Sequence, residues 1–340
     1  EMGRQLQGWC SYPLLLTLLL PRLCTKFILI QNFFMKKLLL FLILSFFSTL
    51  NISHAGSFPI ADVHFHPNPS IHPSKTLEKI NDNHVDWLAS GELKGGKKVR
   101  DEYKAILKER YLPLGGQSDF NKIFFKDGEE ALEDINNPLF KKTIRNLEEE
   151  LKNGNISGIG ELFINKKSRD RHGRKTNVFA PTYQKILDLV ERYDGVMQIH
   201  VDSDKEAIQQ LKMLANHNPN GKIIWAHCGG DITASEVRKV LTKHPNIFCD
   251  LSSRHPPNLT DKKSRGSPNK KIFDNHNLNK SWKILIEEFP NRFMVGTDTK
   301  KLGPYNSAIY SIRNGLLSNL SKETAKKVAI DNARRIFNKD

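Results

Sequence analysis

From about residue 156 the chain alternates between short apolar runs and longer stretches in which apolar positions recur every three or four residues. The runs Ile156 to Phe163, Val196 to Val201, Lys222 to His227, Ile247 to Leu251 and Arg292 to Gly296 have the length and composition of buried strands. Between them, Thr182 to Tyr193, Lys205 to Asn216, Ala234 to Lys243 and Lys280 to Phe289 carry helical spacing, and Ser321 to Phe337 predicts a closing helix. The same order continues backwards with weaker contrast. Strands are predicted at Ile60 to His66, Val85 to Ala89 and Tyr111 to Leu114, the last turned away by Gly115-Gly116. Helices are predicted at Thr76 to Asn83, Lys98 to Arg110 and Asp127 to Lys152, this one interrupted near Asn136-Asn137-Pro138. Eight strands separated by helices at this spacing mean a parallel sheet, and the count predicts an α/β fold, a (β/α)8 TIM barrel.

The N-terminal part follows a different pattern. Met35-Lys36-Lys37 opens a charged start, Leu38 to Leu50 is almost wholly apolar, and Ser53-His54-Ala55 supplies small residues before Gly56, the layout of a secretory signal peptide. The apolar run of 13 residues is short of the ~20 a spanning helix needs. Residues 1–34 are expected to be a non-native extension ahead of the true start, 35–55 the signal peptide and 56–340 one barrel domain. Those 285 residues suit a fold that typically takes ~250. The expectation is an exported protein, periplasmic or secreted, that meets a membrane only through its signal peptide. Only Cys228 and Cys249 remain after Ala55. Export permits a bond between them, but both read as buried thiols, with Cys228 pointing out of the barrel by alternation with His227.

The chemistry is carried by the ends of the apolar runs. Asp62, His64 and His66 share a face if Ile60 to His66 is extended. Glu161, His200, His227 and Asp298 each end a later run. In a parallel barrel the C-terminal strand ends gather on one rim. Any one of these histidines alone reads as a packed core residue. Four histidines with two carboxylates, all at strand ends, read instead as a metal site, since buried acids need partners. Imidazoles with carboxylates suit zinc first, with manganese, cobalt or iron as alternatives, better than magnesium.

Residues 60 to 338 resemble the amidohydrolase superfamily of metal-dependent barrels, and "ADVHFH", "GIGELF", "WAHCGG", "MVGTD" and "NARRIF" are most similar to its amidohydrolase-related branch. The resemblance implies a hydrolase using metal-activated water. As in TatD-type relatives, His64, His66 and Asp298 would hold one ion and His200 and His227 another, with Glu161 between. Asp298 would also act as general base and then acid. The branch equally implies an alternative with one ion held by His64, His66, His200 and Asp298. His227 would then act on the substrate, and the reaction could be a decarboxylation of an aromatic or unsaturated acid. Asp62 would orient a ligand or cap backbone.

Charge bears on the substrate. The chain carries +15, and removing residues 1–55 takes away five basic residues and one acidic residue, leaving +11. Lys166, Lys167, Arg169, Arg171, His172, Arg174 and Lys175 follow the fourth predicted strand, and Arg254, Lys262, Lys263 and Arg265 the seventh. Such a rim would steer an anionic small molecule, with Arg254 the candidate partner for its carboxylate or phosphate. The expected substrate is a small carboxylic ester, lactone or amide. No compact basic stretch is interleaved with aromatics, which argues against nucleic acid as partner and places a TatD-like phosphodiesterase behind the other readings. A non-catalytic metal-binding protein and a homo-oligomer both remain open.

Overall fold

The computed structural model describes residues 58–167, 173–255 and 269–339. The expected extension, the expected signal peptide and the basic residues Arg169, Arg171, His172, Lys262, Lys263 and Arg265 lie outside them. Eight parallel strands follow one another around a barrel: β1 (Ile60–Asp62), β2 (Val85–Gly91), β3 (Tyr111–Gly116), β4 (Gly158–Lys166), β5 (Val196–Val201), β6 (Lys222–Trp225), β7 (Ile247–Asp250) and β8 (Phe293–Met294). Main-chain bonds close the seam between the ends of β1 and β8, from Val63 N to Val295 O at 3.1 Å, Asp298 N to His64 O at 2.6 Å and His66 N to Thr299 O at 3.0 Å. A two-residue segment, Arg174–Lys175, folds back antiparallel on the end of β4.

Between the strands run α1 (Pro73–Asp82), α2 (Gly96–Leu107), α3 (Gln117–Asp127), α4 (Pro138–Lys152), α5 (Pro181–Arg192), α6 (Lys205–His217), α7 (Ala234–Lys243) and α8 (Lys280–Glu288). After β8 come a short helix, Tyr305–Ser311, and a continuous helical stretch from Lys322 to Ile336. Local signals explain several boundaries. The Asp204 side chain accepts from Ala207 N at 3.0 Å to start α6, and Thr233 with Glu236 forms a capping box on α7.

The interruption predicted near Asn136-Asn137-Pro138 is present, since Pro138 with an Asn137 side-chain cap starts α4, but the predicted start at Asp127 is corrected: Gly128, at φ 87°, ends α3 there, and only a short turn at Glu130–Leu132 lies between the two helices. The unpredicted α3 buries Gln117, Ser118 and Asn121 beside Phe120 and Ile123, so its inner face is too polar to read as amphipathic.

Alternation along the strands divides the core in two. Val196 of β5, Ile224 of β6 and Phe248 of β7 pack inside the barrel, where Phe337 meets Trp87 at a ring distance of 5.5 Å. Met197, Ile199, Ile223, Trp225, Ile247 and Cys249 face the helices. Nearer the C-terminal end, the inward positions of β5 and β7 become Gln198, His200 and Asp250, all buried.

The expectation of two free thiols is corrected: Cys228 and Cys249 form a disulfide. β6 ends at Trp225, and His227 (φ 54°) and Cys228 (φ 44°) then adopt left-handed backbone, so strand alternation no longer governs where Cys228 points. This turn brings its Cα to 4.8 Å from that of Cys249, within bonding range. Loop-closure entropy predicts that Cys228→Ala with Cys249→Ala lowers stability by about 3 kcal/mol. Equilibrium urea unfolding measures this, and an unchanged midpoint would contradict it.

Candidate metal centre

The barrel mouth brings together six of the residues singled out in the sequence. His64 Nε2 lies 3.3 Å from His66 Nε2. Both face the same oxygen of Glu161, at 3.3 and 3.5 Å, and the same oxygen of Asp298, at 3.8 and 3.2 Å. The other oxygen of Glu161 faces His200 Nδ1 at 2.8 Å and His227 Nε2 at 3.2 Å. The carboxylate of Glu161 thus divides the four imidazoles into two pairs, one on each oxygen. Asp298 belongs to the first pair and is its most accessible member, with a side chain 25% exposed against 1% for His64 and 3% for His66.

Every ligand candidate is held from behind. His66 Nδ1 meets the carbonyl of Gly91 at 3.1 Å, and Gly91 sits so close to β4 that a Cβ there would overlap the Gly160 carbonyl. His64 Nδ1 meets Asp250 at 3.1 Å, His227 Nδ1 meets Ser252 Oγ at 2.8 Å, and His200 Nε2 meets Asp202 at 3.2 Å. Gln117 Nε2 donates to Glu161 at 3.3 Å, and the Ser253 hydroxyl donates to Asp298.

Asp62 accepts from Thr297 N at 2.9 Å and Thr297 Oγ1 at 2.8 Å, and from His64 N at 3.3 Å. It braces main chain on both sides of the seam, the second of the two roles expected for it. Burial pushes its carboxyl up to about 6, against the hydrogen bonds from Thr297.

The electrostatics fit a cation. Burial pushes Glu161 up, but His64, His200 and His227 more than reverse it and hold the carboxyl well below its ordinary range. Burial works against a proton on His200, yet Asp202 and Glu161 raise it to about 9. His64 is likewise raised, by Asp250 and Glu161 against its burial. Ionised acids that draw protons onto surrounding imidazoles form a donor set in which a divalent ion can replace those protons. His64, His66 and Asp298 form one potential metal-holding group, and Glu161, His200 and His227 another.

Arg254 is placed elsewhere. It is fully buried, its guanidinium donates to the carbonyls of Gly230, His227, Ile232 and Asn269, and it lies 4.6 Å from the Trp282 ring centre. With those donors occupied by main chain, the expected pairing with a substrate anion is corrected to a clamp on the loops after β6 and β7. Arg254→Ala should cost about 3 kcal/mol through lost charged hydrogen bonds, with KM of the folded fraction unchanged. Thermal melting beside initial rates tests both. Of the other basic rim residues, Lys167 Nζ donates to Ser203 O at 2.9 Å. Arg174 is buried, donating to Phe163 O at 3.1 Å and Asn121 Oδ1 at 2.6 Å.

Sequence reasoning missed Asp250, Ser252, Ser253, Asp202, Gln198 and Gln117. For Asp250 the signal was present: Ile247 to Cys249 is an apolar run ending in an acid, the rule that found Glu161.

An eight-stranded α/β barrel with this mixture of imidazoles and carboxylates at its mouth defines a metal-dependent hydrolase. A family model described as Amidohydrolase matches residues 135–339, more than half of the chain, and the chain belongs to that family, whose members use divalent metals. No curated protein matches. Among solved structures, a probable 2-pyrone-4,6-dicarboxylic acid hydrolase from Acinetobacter baumannii with citric acid bound aligns with TM-score 0.55 and 12% identity over 83% of this chain and 100% of that one. A TatD homologue from Escherichia coli gives TM-score 0.53 and 12% identity over 84% and 100%. A β-aspartyl dipeptidase from Fervidobacterium islandicum, in complex with a β-Asp-Leu dipeptide, gives 0.50 and 12% over 83% and 74%. At these identities the likeness is one of fold.

Proposed function

We propose that the barrel mouth holds two divalent ions, zinc foremost, and that the protein hydrolyses a small anionic carboxylic ester, lactone or amide. The observation that carries this reading is the division of Glu161, one carboxylate oxygen to each imidazole pair. His64, His66 and Asp298 would hold one ion and His200 and His227 the other, with Glu161 shared. When bound, such ions acidify water and polarise the oxygen of the bond to be broken.

The chain's own residues supply the rest. Asp298 sits at the accessible side, with one oxygen fixed by Ser253, and takes a proton from the attacking water before returning it to the leaving group. The closed backs of the imidazoles, on Gly91, Asp250, Ser252 and Asp202, keep their orientation through the cycle. The +11 charge of residues 56–340 favours an anionic substrate by steering, and a dicarboxylic acid hydrolase among the fold neighbours agrees with that class.

A second reading rests on the completeness of the His64, His66 and Asp298 group: a single ion there, His227 acting on the substrate, and decarboxylation as the reaction. The test is a panel of lactones, esters, amides, phosphodiesters and aromatic carboxylic acids with chelated and zinc-restored protein. Metal-dependent hydrolysis of a carboxylic compound is expected. Carbon dioxide release would favour the lyase reading, phosphodiester cleavage a TatD-like one, and no turnover a metal-storage role.

A further inference from the structure

We propose that Lys166, seated on the ring of Phe163 beside His200, receives a free carboxylate of the substrate, so that the site selects an ester, lactone or amide bearing one further carboxylate beyond the bond to be broken. The inference rests on the reading of the barrel mouth given above and supplies the group that recognises the anion, a part Arg254 does not play.

The end of β4 carries it. Leu162 and Ile164 face the helices, and Phe163 between them turns to the mouth, where its ring meets that of His200 edge-on at 5.6 Å. Lys166 Nζ lies 4.1 Å from the centre of the same Phe163 ring. An ammonium over an aromatic face is held by the quadrupole of the ring while its other N–H groups still donate outward. These two contacts in series fix a cation within a small molecule's length of the imidazole. Lys166 is half-buried, and among the described residues no carboxylate pairs with it. The acids beside His200 are taken up by imidazoles and, for Asp202, by the main-chain N–H of Lys167.

Neighbouring cations are committed elsewhere. Lys167 Nζ donates to Ser203 O, and Arg254 donates to carbonyls. Arg174 stands opposite Lys166 in the antiparallel pair at the end of β4. It is buried, donates to Phe163 O and Asn121 Oδ1, and lies 5.6 Å from the Phe163 ring centre. One ring therefore has two positive charges beside it, of which the buried Arg174 adds to the local potential and Lys166 can reach a ligand. A carboxylate there would accept a charge-assisted hydrogen bond from Nζ, with the Phe163 ring as the apolar wall between it and the reacting end of the substrate.

The experiment is calorimetric binding of glutarate and adipate to zinc-treated protein, each beside the monocarboxylate of equal length, pentanoate or hexanoate. Native protein should prefer the dicarboxylate of at least one pair by about 10-fold, the worth of one hydrogen bond to a charged group. K166M should bring that preference close to equality, and K166R, which keeps the charge and can lie on the same ring, should restore most of it. Circular dichroism verifies each fold, and K166Q takes the place of K166M should that variant not fold. A folded K166M or K166Q that keeps the native preference, or native protein that binds both members of each pair alike or binds none, overturns the inference. Monomethyl glutarate separates it from the parent reading. Zinc-dependent hydrolysis of this ester with the same KM in K166M overturns the inference and leaves the hydrolase, whereas a Lys166-dependent preference without hydrolysis of any ester, lactone or amide removes the hydrolase reading and leaves the anion subsite.

Discussion

Glu161→Gln should lower turnover at least ~100-fold and remove most bound zinc, because no amide can serve two imidazole pairs at once. Each Glu161 oxygen now faces two ring nitrogens within 3.5 Å. In glutamine one of these positions becomes an NH2 group, which cannot ligate, and the side chain loses the charge that would offset the two proposed cations. Outer partners of metal ligands alone are worth 10–100-fold in metal affinity or activity, and Glu161 is in direct contact with four candidate ligands. The fold should survive, because the glutamine keeps the shape and the Gln117 contact lies on one oxygen only. Metal analysis of dialysed protein and rates in zinc-replete buffer check both parts. A variant with native metal content would show that Glu161 is structural.

Asp298→Asn should reduce kcat by about 10²–10⁴-fold, the usual contribution of a positioned acid or base, while leaving thermal stability near native. Asparagine still offers one oxygen toward His66 Nε2, 3.2 Å away in the native chain, but it cannot take a proton from water. Because the side chain is partly exposed, the substitution buries no uncompensated charge. A loss confined to KM, or one reversed by excess zinc, would assign Asp298 to binding alone.

The sequence exposes those features that depend on a few consecutive residues. β5, as Val196–Val201, and α7, as Ala234–Lys243, coincide with the predicted ranges, because each is bounded by glycine, polar turns or a capping threonine. The six metal candidates were legible because metal-binding side chains stand at inward positions in or just after apolar runs, Glu161 inside β4 and the others near or beyond the ends of their strands. What escaped is set by contacts between distant segments. Arg254 reads as a rim cation until the loop after β6 surrounds it with carbonyls, and Cys228 reads as a free thiol until two left-handed residues bring it to Cys249 on the helix-facing side. α3 escaped because its buried face is polar, and that polarity faces the site through Gln117. Asp250 and Ser252 escaped because their role lies in the imidazoles they hold, 186 and 25 residues away.

The most direct measurement is zinc per chain, by elemental analysis of protein first stripped with chelator and then reloaded, with turnover followed at each step. The account predicts about two equivalents, activity lost on stripping, and recovery in proportion to the second equivalent. Full turnover in the stripped protein, or reloading that leaves His200 and His227 without an ion, would contradict it.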